Sequence, residues 1–182
     1  MKLVINLFLA LFCCSCASMN RTITVVYLIG TCDSSVSINC DTLKKRYAGA
    51  EADTVIDITN NEFDAIIELL KIPHTTETGC DTRMYIQYDS LALCYRDFDR
   101  VCGIDSEEIT DKQKWGGYQI KCKSGYYNHI HREDLEYYEY IEKFGIPQEY
   151  KYFNNGLDEK SRFVKYLNMK HYVKVLLKVK KH

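Results

Sequence analysis

The sequence is poor in the residues that punctuate loops. It holds two prolines and nine glycines in 182 residues, which argues against a long disordered linker. Net charge is nearly absent as well, at −1, so a bulk attraction to nucleic acid is not expected. There is one apolar run, Leu3–Phe12, and no second one. Internal repeats and low-complexity blocks are missing. There is no P-loop, no Gly-x-Gly-x-x-Gly and no Gly-x-Ser-x-Gly. Beyond residue 16 neither Cys-x-x-Cys nor His-Glu-x-x-His spacing occurs, so the common zinc sites are not signalled. These absences set aside nucleotide-binding and serine-hydrolase chemistry, and they leave no cofactor expected.

What is present starts with an address. Met1-Lys2 is charged, Leu3–Phe12 is apolar apart from Asn6, and Cys13-Cys14-Ser15-Cys16 follow. A charged start, a short apolar run and small residues before a cut describe a secretory signal. The run falls short of the roughly 20 apolar residues that span a bilayer.

The segment Leu11–Ser18 resembles the lipobox of bacterial lipoproteins. Its tail, Ser15-Cys16-Ala17-Ser18, is most similar to those of the Bacteroidetes, although Cys13 stands where that family usually has Leu. The resemblance implies that Cys16 becomes the acylated N-terminus. Each buried CH₂ of an acyl chain contributes about 0.8 kcal/mol, so more than one chain gives stable anchoring. The expected organisation is a signal at residues 1–16, a short tether at 17–21 and a single globular domain at 22–182. The expected location is the outer or inner membrane of a Gram-negative bacterium, facing the periplasm, because no acidic cluster follows Cys16.

Within the domain, hydrophobic periodicity predicts strands at 22–29, 54–58, 83–88, 91–95 and 171–181. Two more are predicted at 118–123 and 126–130, joined as a hairpin at Ser124-Gly125. Helices are predicted at 41–47, 132–144 and 157–168, and another beginning after Thr59. Thr59-Asn60-Asn61-Glu62 has capping-box spacing, and Pro73 stops that helix. Gly145, in a left-handed C′ conformation, with Ile146 and Pro147 should close the helix at 132–144. Strands and helices do not alternate regularly, so the expected class is α+β, a mainly antiparallel sheet packed with two or three helices.

Nine cysteines are present. Cys13 and Cys14 leave with the signal and Cys16 takes lipid. Cys32, Cys40, Cys80, Cys94, Cys102 and Cys122 remain, in a compartment that permits disulfides. Cys32 and Cys40 bracket a serine-rich stretch and form the plausible local pair.

Four constellations bear on chemistry. On a strand, His129 and His131 would share a face with Cys122, a set zinc accepts; standing alone, the pair reads as structural, and no metal is expected. Cys40, just ahead of a short helix, could carry a depressed thiol pKa and pair with His129 or His131 as a Cys–His nucleophile. Tyrosines crowd residues 126–152. Among them Tyr137 and Tyr140 fall off the apolar stripe of their helix and suit a protein or glycan contact. Lys165, Lys170, Lys174, Lys178, Lys180 and Lys181 read as a solvated basic face or a contact with anionic lipid.

The resulting expectation is a membrane-anchored lipoprotein whose domain binds an envelope protein or glycan without catalysis. The alternatives are a Cys–His hydrolase of cell-wall or peptide bonds and an inhibitor or immunity-type protein.

Overall fold

The computed structural model describes residues 21–29, 38–73, 80–130, 132–148, 150 and 172–180. The signal, Cys16, Cys32, His131, the helix expected at 157–168, and Lys165, Lys170 and Lys181 lie outside them. In chain order the elements are β1 (Thr22–Leu28), α1 (Cys40–Tyr47), β2 (Thr54–Ile58), α2 (Asn60–Leu70), β3 (Met84–Tyr88), β4 (Leu91–Tyr95), α3 (Asp111–Lys123), α4 (Glu139–Phe144) and β5 (Tyr172–Val179). Short 3-10 turns lie at Ser106–Glu108, Tyr126–His129 and Arg132–Tyr137.

The strands form one sheet in the order β2-β5-β1-β3-β4. Every pairing is antiparallel except β2 with β5. The class is therefore α+β. Alternation along each strand sorts the two faces. Ile23 and Val25 of β1, Ile86 of β3, Leu93 of β4, and Val175 and Leu177 of β5 are all fully buried in one cluster with Phe63, Ile66 and Leu69 of α2 and Ile120 of α3. Burying each such side chain contributes about 2 kcal/mol, and this cluster is the main core. On the opposite face Leu28, Tyr85 and Cys94 pack with Leu43 of α1.

The helix starts follow local chemistry. The Thr59 hydroxyl accepts the Glu62 N–H at 3.2 Å, and Glu62 accepts the Thr59 N–H at 2.7 Å. A second box opens α3. There Gln113 accepts the Thr110 N–H at 2.9 Å, and the Thr110 hydroxyl accepts the Gln113 N–H at 3.4 Å.

That second box marks the largest departure from the sequence reading. Residues 118–130 do not form a hairpin. They are the second half of α3, a left-handed Gly125 with φ 76°, and a 3-10 turn. The obscuring feature is Gly116-Gly117, because each mid-helix glycine costs about 1 kcal/mol against alanine. Packing overrides that cost. A β-carbon at Gly116 would lie 2.5 Å from the Ala65 carbonyl oxygen, so its absence lets α3 rest on the backbone of α2.

The helix expected over 132–144 is also divided. It breaks at Tyr138, whose φ of −91° and ψ of 115° are extended. Gly145 has the expected positive φ, 84°, but with ψ 169° it is not the left-handed helical cap predicted for it.

Two disulfides staple the second face, Cys40–Cys94 and Cys80–Cys102. Cys40 is thus bonded to Cys94 on β4, 54 residues away, and not to Cys32. The reason is spatial. Alternation turns Cys94 toward the face that α1 covers, and Cys40 is the first residue of α1.

Lys174 departs from the solvated basic face as well. It is 9% exposed. Its ammonium donates to the carbonyls of Tyr47, Ala48 and Ala50 at 3.5, 2.9 and 2.6 Å. A cation there satisfies acceptors at the end of α1 that the helix leaves unpaired.

Candidate interaction surface

The site is built at the end of β4. After Tyr95 the chain turns back on itself. The Arg96 N–H donates to the Arg100 carbonyl at 2.9 Å, Tyr95 bridges Val101, and the Cys102 N–H donates to the Cys94 carbonyl at 2.8 Å. Cys94 and Cys102, one on each stem of this turn, are the residues held by the two disulfides.

Phe98 and Asp99 occupy left-handed backbone, with φ of 59° and 65°. For a bulky side chain this conformation is an outlier. It costs about 1–3 kcal/mol and persists only where surrounding contacts over-determine it. Here both neighbours of Phe98 are gripped. Asp97 meets the Arg83 Nε at 3.3 Å, and Arg83 also pairs with Asp81 at 3.2 Å. Asp99 is buried and pairs with the equally buried Lys121. The same carboxylate accepts the Tyr127 hydroxyl at 3.1 and 3.2 Å and the Tyr140 backbone N–H at 2.9 Å.

Lys121 sits in an aromatic box. Its ammonium is 4.1 Å from the Tyr95 ring centroid, 5.1 Å from Tyr126 and 5.4 Å from Tyr140. The Tyr95 and Tyr140 hydroxyls are 3.2 Å apart. Burial pushes the Lys121 pKa below its ordinary value, and the nearby Asp99 carboxylate opposes the shift. Burial likewise pushes the phenols of Tyr95, Tyr126 and Tyr127 well up, so they stay protonated as donors.

With Asp97 and Asp99 anchored, the Phe98 ring is turned outward. It is 38% exposed and packs edge-on against Tyr137 at 6.1 Å and Tyr138 at 5.6 Å. Tyr137 is 61% exposed. An ion pair of Arg100 with Glu139, at 3.9 Å, lies close by. The result is an exposed aromatic pair flanked by charge and seated on a rigid base.

Of the residues singled out from sequence, Tyr137 lies on this surface. Tyr140 does not: it is 1% exposed, because the break at Tyr138 turns its ring inward to Tyr95. Cys40, as a disulfide partner, offers no thiolate, so the pairing with His129 as a nucleophile is not formed. His129 lies on a 3-10 turn with its ring 5.5 Å from that of Tyr27, and burial lowers its pKa. Cys122 is half-buried on α3, so the strand face that would have joined it to His129 does not exist. Among the described residues no group of three or more His, Cys, Asp or Glu is placed to hold a metal ion.

Sequence reasoning missed Phe98, Asp99 and Lys121. The available signal was Arg96-Asp97-Phe98-Asp99-Arg100, an aromatic set between two aspartates and two arginines directly after a strand. No family model, curated protein or solved structure matches the chain.

Proposed function

We propose that the chain is an exported lipoprotein, anchored through Cys16, whose domain binds an envelope protein or glycan through the Phe98–Tyr137 face without catalysis. The observation that carries this reading is the turn at Arg96–Arg100. Asp97, half-exposed and paired with Arg83, and Asp99, buried and paired with Lys121, flank an aromatic residue that points outward on strained backbone. Strain of this kind clusters at binding sites, and rigid exposed aromatics are the side chains that dominate contact energies.

Export draws support from two sources. The leader resembles a lipobox, and two disulfides suit an oxidising compartment. A hydrolase built on Cys40 would need a thiolate that the disulfide removes. An inhibitor or immunity-type role is a special case of the same reading, with a rival enzyme as the partner.

The test is a photoreactive residue in place of Tyr137 in living cells. A discrete envelope adduct is expected, and Phe98→Ala should abolish it. A photoreactive residue at Val55, exposed on edge strand β2 at the other end of the sheet, should give no such adduct. Equal labelling from both positions, or none from Tyr137, would overturn the binding face.

A further inference from the structure

The Asp99–Lys121 pair has a chemical potential that presentation of Phe98 does not use. An amine and a carboxyl are held together out of water, with donors already aimed at the carboxyl oxygens. We propose that Lys121 and Asp99 react with each other, so that the folded protein carries an intramolecular amide bond between the Lys121 Nζ and the Asp99 Cγ.

Four features of the site favour this bond. Neither side chain has solvent-exposed surface. Three tyrosine rings, Tyr95, Tyr126 and Tyr140, surround the ammonium. The Tyr127 hydroxyl reaches both carboxyl oxygens, at 3.1 and 3.2 Å. The Tyr140 backbone N–H reaches the second of them at 2.9 Å.

The step balances without an oxidant, a metal or a co-reactant. A proton passes from the Lys121 ammonium to the Asp99 carboxylate, which leaves a neutral amine and a carboxylic acid. The nitrogen lone pair attacks Cγ. Negative charge develops on one carboxyl oxygen, where the Tyr127 hydroxyl and the Tyr140 N–H are placed to stabilise it, as donors in an oxyanion hole do. A second proton moves from nitrogen to the other oxygen, the C–O bond breaks and one water leaves. One N–C bond has replaced one C–O bond, and nothing is oxidised or reduced.

Several effects favour this site over the same groups in solution. Fixed proximity supplies an effective concentration of order 10⁵ M or more. Desolvation makes proton transfer to the neutral pair cheaper, because each buried charge costs several kcal/mol. The lowered Lys121 pKa agrees with that. Exclusion of water also protects the product amide from hydrolysis. The bond would tie the turn carrying Phe98 to α3 across 22 residues.

The measurement is a tryptic peptide map of the reduced and alkylated wild-type protein by mass spectrometry. Cleavage after Arg96 and Arg100 releases Asp97–Arg100, and cleavage after Lys114 and Lys121 releases Trp115–Lys121. An amide at Lys121 blocks the second of these cuts. The expected product is therefore Asp97–Arg100 joined to Trp115–Lys123, with a mass lower than the sum of the two peptides by one water. Lys121→Met should release Asp97–Arg100 unjoined, which identifies the branched species. Denatured peptides give this readout whether or not the variant is stable. Recovery of Asp97–Arg100 and Trp115–Lys121 as separate peptides from the wild type would overturn the proposal and leave the binding face untouched.

Discussion

Gly117 on α3 lies against the ring of Tyr140. A β-carbon at 117 would stand 2.6 Å from the Tyr140 Cε2, and closer still to the Tyr95 hydroxyl. These two tyrosines form part of the box around Lys121, so a missing side chain on one helix sets the shape of the buried site. Alanine would gain about 1 kcal/mol of helix propensity at this position. Forcing a methyl group into a filled site costs about 1–3 kcal/mol, and the close contacts place this case at the upper end. Gly117→Ala is therefore expected to lower the urea midpoint. A raised midpoint would mean that the tyrosines can step aside and that the glycine is not a packing requirement.

The caps give a second, local prediction. Thr59→Ala removes the acceptor for the Glu62 N–H and should cost about 1 kcal/mol, and Thr110→Ala should cost a similar amount. A midpoint unchanged within error for Thr59→Ala would show that the first box does not contribute.

The disulfides give a third. A non-reducing peptide map is expected to recover Cys40 linked to Cys94 and Cys80 linked to Cys102. Removing either bond should cost about 2–4 kcal/mol, since each closes a loop of tens of residues in the unfolded chain. A fragment joining Cys32 to Cys40 would contradict the packing of α1 on β4.

His129 gives the pH dependence. Burial lowers its folded pKa below the usual histidine value near 6.5. The unfolded chain then binds the proton more readily than the folded one. Stability from this group is present above the unfolded value and declines as pH falls through and below it. His129→Phe should flatten that acid limb in a series of denaturation midpoints. An unchanged limb would assign it to carboxylates instead.

The anchor is tested at Cys16. A fatty-acid analogue fed to cells should label the wild type and not Cys16→Ser, and the variant should leave the membrane fraction. Equal labelling of both would sink the lipid anchor and with it the reading of Leu11–Ser18.

Local chemistry makes part of this protein legible in the order of its residues. Val173, Val175, Leu177 and Val179 alternate with mostly polar neighbours, and a strand forms there because the pleat has a period of two. Thr59 and Glu62 start a helix because a side chain three residues away can reach the orphan N–H groups. Thr54–Ile58 and the pair of strands at residues 84–95 are visible for similar reasons. Tertiary contacts decided the rest. β5 inserts between β1 and β2 because Val175 finds Val25 across one edge and Thr54 across the other, matches between residues more than 100 positions apart in sequence. Gly116-Gly117 sits mid-helix despite its low helix propensity because close packing on Ala65, Tyr95 and Tyr140, which leaves no room for side chains there, outweighs that cost. Cys40 finds Cys94, and Asp99 finds Lys121, through the folding of separate elements onto one another. Side chains that meet across such distances leave no periodic trace along the chain, and so Phe98, held outward by partners remote in sequence, emerged only from the packed molecule.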